Sequence, residues 1–214
     1  MIDTKHARII QRYTAGQRIN HWVVAITFVL SALSGLALFH PAFYWLTGLL
    51  GGGAWTRILH PFLGVLMFVC FVIFAVRMWR GNIMTKEDWQ WLRQFGDVIR
   101  AREDRLPDVG RYNAGQKLLY FALILLMLGL LFSGLVMWRE YFSFYFPIWA
   151  IRWSSLIHAI FAFLAIWLII VHIYAGIWVK GSVRAMTRGT VTPGWAWKHH
   201  RAWFRKLRKN PAAK

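Results

Sequence analysis

The chain has 214 residues, 58% of them hydrophobic, with a mean hydropathy of +0.42; a water-soluble domain of this length does not expose or bury so much apolar surface. Lys and Arg number 26 against 8 Asp and Glu, a formal net charge of +18. These cations fall in alternate connections between apolar segments, which argues against nucleic acid as the partner and for a membrane.

In chain order, residues 1–18 form a basic arm with Lys5, Arg8, Arg12 and Arg18. Four segments free of charge follow, at 22–39, 58–76, 118–138 and 153–179. Each matches the roughly 20 apolar residues a spanning helix needs. The arm precedes the first of them and no small-residue cleavage site follows it, so this segment is not read as a removable leader. The expected spans are about 19–39, 57–79, 116–138 and 152–180, in one integral membrane domain covering 1–214, with a basic cytoplasmic tail at 181–214. No internal sequence repeat is evident.

The first helix is expected to close at His40-Pro41. A short glycine-rich connection follows, with Gly51, Gly52 and Gly53 in a row and Tyr44 and Trp45 suited to the headgroup level. Pro61 is expected in the first turn of the second helix, where a missing N–H costs little. Arg80-Gly81-Asn82 reads as its stop. The central loop, 81–115, is the one sizeable polar stretch, with an interfacial helix at 88–93 and breaks at Pro107 and Gly110. The last span exceeds the hydrocarbon thickness and is expected to protrude or tilt.

Nine cations lie within 77–117 and ten within 180–214, whereas the other two connections hold only Arg57, Arg139 and Arg152. Both termini and the central loop are therefore expected on the cytoplasmic side. The stretch 198–209, with Trp203, Phe204 and Leu207 among its cations, reads either as a segment lying on anionic lipid or as a solvated tail.

Histidine carries the chemistry. His21 opens the first helix on the inner side and His60 opens the second on the outer side; His158 and His172 share the last helix, 14 residues apart. That spacing is roughly 21 Å and returns to within about 40° of one helix face. Matching depths pairs His60 with His158 outside and His21 with His172 inside. Imidazoles in hydrocarbon are costly and mark function, and two from different helices can ligate one haem iron. A single such histidine reads more readily as packing or a proton relay; four at two matched depths favour two haems. His6, His40, His199 and His200 have no partner at a suitable depth and read as solvated or interfacial. Gly35, Gly64, Gly129, Gly134 and Gly176 lie within the spans and read first as helix packing. Arg57 and Arg152 suit either haem propionates or ordinary flanking anchors. The lone cysteine, Cys70, has no partner, and the Cys-x-x-Cys-His motif is missing, so any haem is b-type.

Several runs resemble the cytochrome b556 (gamma) subunit of respiratory formate dehydrogenases. They are Arg57-Ile58-Leu59-His60-Pro61-Phe62, Val109-Gly110-Arg111-Tyr112-Asn113-Ala114-Gly115-Gln116-Lys117, His172-Ile173-Tyr174, Trp178-Val179-Lys180-Gly181, Trp138-Arg139 and Lys198-His199-His200. The resemblance covers nearly the whole chain in order. It implies the ligands His21, His60, His158 and His172, and a quinone site beside the inner haem at Asn113, Gly115 and Gln116. It also implies an iron–sulfur (beta) subunit and a molybdenum or tungsten catalytic (alpha) subunit as partners. From the residues alone, Asn113 reads first as a helix cap; with the resemblance, the quinone reading is preferred. The run at 51–53 and Arg201-Ala202 after the paired histidines depart from the family pattern.

The expected fold is an all-α membrane protein, a four-transmembrane-helix bundle holding two b-type haems with both termini cytoplasmic. The expected function is passage of electrons from the iron–sulfur partner, through outer and inner haems, to menaquinone or ubiquinone at the cytoplasmic side of a bacterial inner membrane. Formate would be oxidised on the partners. The rivals are a cytochrome b serving a hydrogenase or thiosulfate reductase, and a haem-free membrane anchor.

Overall fold

The computed structural model describes residues 9–100, 102 and 105–209; His6 and most of the basic arm's first half lie outside them. Four long helices dominate: α1 (Ala15–Phe39), α2 (Gly53–Asn82), α5 (Ala114–Met137) and α6 (Ile148–Trp178). Between α2 and α5 lie α3 (Lys86–Arg93) and α4 (Phe95–Ile99), and after α6 come α7 (Ser182–Arg188), α8 (Pro193–His199) and α9 (Arg201–Lys209). The four long helices are each long and apolar enough to cross a membrane. They leave large apolar side chains uncovered, among them Val76, Phe132, Phe163 and Ile170, a surface that water would penalise and lipid would not. At about 1.5 Å per residue, α6 is about 46 Å long, well beyond a hydrocarbon core of about 30 Å.

Two compact units divide the chain. One comprises Ile19–Ala75 and Ala122–His172. Within it a 3-10 helix, Pro41–Leu50, is capped by His40, whose Nδ1 accepts from the Ala42 amide at 3.2 Å. Gly51 and Gly52 then take φ of 85° and 100°, left-handed values that glycine adopts without a Cβ penalty. The Gly52 carbonyl accepts both the Thr56 amide (3.0 Å) and the fully buried Thr56 hydroxyl (2.9 Å), which seeds α2 at Gly53. Pro61 consequently sits in the third turn of α2, not the first, and the Arg57 carbonyl loses its usual i+4 donor there. Within the other stretch of this unit, Gly129 lies directly against the Phe161 ring, leaving no room for a side chain.

The second unit holds the described parts of Met1–Arg18, Val76–Phe121 and Ile173–Lys214. The starts of α1, α3 and α5 share one device. Thr14 and Gln17 exchange side-chain and backbone bonds before α1 (3.3 and 3.0 Å), and Asn113 and Gln116 do so at α5 (2.9 and 3.1 Å). Each is a capping box that satisfies two otherwise unpaired amides. At α3, Asp88 accepts from the Thr85 amide at 2.7 Å and its hydroxyl at 3.0 Å. The expected helix at 88–93 is therefore present, but Asp88 and Trp91 are buried, and Trp91 packs with Val109 and Ala114 instead of lying on a surface.

Two sequence expectations need correction in this unit, after one small addition to the helices: Ile10–Gln11 (β1) pairs antiparallel with Thr190–Val191 (β2), and the Arg12 and Tyr13 amides both donate to the Gly189 carbonyl. Segments far apart in sequence thus satisfy each other's backbone groups. His200 is not solvated; it is 1% exposed, with Nδ1 donating to the Gly110 carbonyl at 2.9 Å and Nε2 accepting from Arg12 at 3.3 Å. Burial, then the adjacent Arg12 charge, hold it well below the ordinary histidine pKa, so it is neutral. Trp203 is buried instead of facing lipid. Its ring and that of Trp195 each lie 4.9 Å from the Arg12 guanidinium carbon, a cation–π arrangement that offsets the cost of burying the charge. Arg201 and Arg205 both pair with Asp108, tying the tail to the central loop.

Candidate haem-binding site

The predicted ligands all fall in the first unit, and the fold brings them together two by two. His60 of α2 faces His158 of α6 with ring centroids 6.2 Å apart. His21 of α1 faces His172 of α6 at 6.4 Å. Rings at these separations would leave room for one metal ion bonded by a nitrogen from each imidazole at about 2 Å per bond.

None of these imidazoles is packed away as His200 is: His21, His60 and His158 are half-buried and His172 is exposed. The small residues around them fit a flat macrocycle. Gly64 and Gly176 follow His60 and His172 by four residues, hence on the same helix face, and a Cβ at either would meet nothing within 4 Å. Gly35 and Gly134 act differently: a Cβ there would press on Cε1 of His60 at 3.2 Å and of His158 at 3.3 Å. These two glycines let the imidazoles lie directly against the neighbouring helix backbone. The donor chemistry also fits, because each pair offers ring nitrogens from two helices, and His21 Nδ1, buried without a hydrogen-bond partner, marks a polar site that the protein alone leaves unsatisfied.

Two residues the sequence reading passed over complete the His60–His158 pair. Ser34 Oγ lies 2.8 Å from His60 Nδ1, and Ser133 Oγ lies 2.9 Å from His158 Nδ1. The available signal was the dipeptide Ser-Gly, which stands inside an uncharged span at 34–35 and again at 133–134. Arg57 and Arg152 are exposed near the starts of α2 and α6.

The residues singled out for quinone lie in the second unit. Asn113 caps α5 and its Oδ1 is engaged by the Gln116 amide, as is Gln116 Oε1 by the Asn113 amide. The side-chain amino groups of both remain as donors. Gly115 lies beneath Trp91, whose ring edge would be 3.2 Å from a Cβ at that position.

Long apolar helices carrying two cross-helix imidazole pairs define the class: a multi-pass membrane cytochrome b. Residues 12–189 match the prokaryotic cytochrome b561 family, and the chain belongs to that family. Among its relatives is the cytochrome b556(fdo) subunit of formate dehydrogenase from Escherichia coli K12, 43% identical across 98% of this chain and 99% of the relative. The formate dehydrogenase cytochrome b556 subunit of Haemophilus influenzae is 44% identical across 96% of this chain and 86% of its own length. The nitrate-inducible cytochrome b556(Fdn) subunit of E. coli K12 is 41% identical across 97% and 96%.

Proposed function

We propose that this chain is the membrane cytochrome b subunit of a formate dehydrogenase complex in the bacterial inner membrane, with two b-type haems and a quinone site at the cytoplasmic side. The observation that carries the reading is the pair of cross-helix imidazole contacts, at 6.2 and 6.4 Å. Relatives over nearly the full length are named as formate dehydrogenase cytochrome subunits. His60 with His158 would hold the outer haem, and His21 with His172 the inner one. Haem, when bound, supplies reversible one-electron transfer, relaying electrons from an iron–sulfur (beta) subunit served by a molybdenum or tungsten catalytic (alpha) subunit.

The chain's own residues set depth, ligation and access. His158 and His172 stand 14 residues apart on α6, which is roughly 21 Å along the axis. Arg57 and Arg152 would balance propionate charge or serve as flanking anchors. Asn113 and Gln116 would donate their amino groups to a carbonyl of menaquinone or ubiquinone, at a helix start backed by the buried Trp91 ring over Gly115. The exposed cations Lys206, Arg208 and Lys209 on α9 would meet anionic lipid.

Complex purified from membranes should be red, shift on dithionite, contain two haems per copy of this chain, and carry the two partner subunits by mass spectrometry. A colourless preparation made with ample haem, or a hydrogenase-type large subunit in the complex, rejects the reading. Asn113→Asp keeps the cap oxygen but removes the amide donor. It is expected to retain both haems and slow quinone reduction roughly tenfold, the worth of about one hydrogen bond. Unchanged quinone kinetics would move the site elsewhere.

A further inference from the structure

The two serines beside the His60–His158 pair occupy equivalent positions. Ser34 lies 26 residues before its histidine and Ser133 lies 25 before its own. Each precedes a glycine that brings the same imidazole edge against the helix, Gly35 for His60 and Gly134 for His158. Both serines are buried, 2% and 6% exposed.

The direction of these hydrogen bonds follows from counting protons. Ser34 Oγ is 2.7 Å from the Leu30 carbonyl, and Ser133 Oγ is 2.6 Å from the Gly129 carbonyl. A carbonyl oxygen only accepts, so each hydroxyl proton is spent on its own helix. The contact to Nδ1 then runs the other way, with the imidazole N–H donating toward the serine and toward a carbonyl of the same helix turn, that of Ser31 for His60 and of Leu130 for His158. This fixes the tautomer: Nδ1 carries the proton and Nε2 offers its lone pair. The inner pair has no equivalent, since His21 Nδ1 is buried without a partner.

We propose that Ser34 and Ser133 are positioning residues of the His60–His158 haem, each holding an Nδ1–H so that Nε2 meets iron, and together lowering that haem's potential. The inference rests on the two-haem reading above. A hydrogen bond at the remote nitrogen raises ligand basicity and fixes ring orientation. A more basic imidazole favours ferric over ferrous iron. The device occurs twice at one site and is missing at His21, so the larger effect is expected at the His60–His158 haem, with the other haem as an internal comparison.

The test is a potentiometric titration of the purified complex with Ser34→Ala, Ser133→Ala, the double change, and the matching Thr variants. Thr is the conservative control because its hydroxyl can bond the i−4 carbonyl in the same way, as Thr27 already does to Val23 at 2.7 Å. Removal of both hydroxyls is expected to shift the outer haem's ferric-to-ferrous equilibrium roughly tenfold toward ferrous, about 59 mV upward for a one-electron couple. The inner haem should stay in place and Thr should restore the original value. Unchanged potentials, equal shifts in both haems, or failure of Thr to restore would overturn the proposal. Should the alanine variants not accumulate, pulsed EPR of the unaltered oxidised complex decides: distinct remote-nitrogen couplings at the two haems support the serines, and identical ones reject them. Two haems with no serine effect sink this inference alone; fewer than two haems sink the reading beneath it.

Discussion

Replacing His158 with alanine is expected to halve the haem content of the purified complex and leave the second haem's spectrum intact. The expectation follows from how the ligands are shared. Each pair draws one imidazole from α6 and one from another helix, and the two pairs have no residue in common. Loss of His158 would leave His60 and packing alone to hold a haem that lacks covalent attachment. Changing an outer-shell partner of a metal ligand typically costs about 10–100-fold in affinity; removing the ligand itself costs more. Any outer haem that remains should convert to a high-spin spectrum. His172→Ala should do the same to the inner haem and spare the outer. Pyridine haemochrome quantification with a reduced-minus-oxidised spectrum reads both outcomes. Full low-spin haem content in His158→Ala would show that the 6.2 Å contact with His60 is packing, and the electron path would have to be redrawn.

The helices and the histidine pairs were legible for different reasons. Lack of charge is a local property, so the expected C-terminal ends of the spans fall within three residues of those observed. The N-terminal ends fall later than the observed ones; for α1 and α5 this is because the helix starts in polar sequence, on Thr14 with Gln17 and on Asn113 with Gln116. Hydropathy does not register a capping box. The four imidazoles come near one another two by two because α6 is one long helix whose two histidines repeat nearly one face. His200 was misread because its partner Arg12 lies 188 residues away, and nothing in either segment announces the other. The same distance hides β1 from β2. Ser34 and Ser133 were invisible for a third reason. A serine in a membrane helix ordinarily satisfies itself on its own i−4 carbonyl, and both do so. Only the coordinates place each oxygen within hydrogen-bond distance of an imidazole as well.

Breaking the ion pair between Asp88 and Lys117 is expected to destabilise the complex-forming subunit far more than removing both partners. Lys117 Nζ lies 2.5 Å from Asp88 Oδ2, and the side chains are 5% and 2% exposed. The Ile83 carbonyl accepts a second bond from Lys117 at 2.9 Å, while Asp88 also accepts from Thr85. The pair therefore locks α3 to the start of α5, one residue beyond Gln116. Asp88→Ala strands an ammonium group in a dry site and removes the acceptor at the start of α3. Removing one member of such a pair costs about 3–5 kcal/mol, because the other charge is left uncompensated. Lys117→Met strands the carboxylate at a similar cost. In the double variant, Asp88→Ala with Lys117→Met, neither charge remains, and most of that penalty should disappear. Denaturation in detergent micelles across the four proteins forms a double-mutant cycle. Strong non-additivity is the expected result; losses that simply add would mean that the two residues do not act as a pair. The single variants should also slow quinone reduction at unchanged haem content. The Lys117 amide bonds the Asn113 carbonyl at 3.1 Å, so a loosened first turn of α5 would displace the amide donors assigned to quinone while the four histidines keep their places.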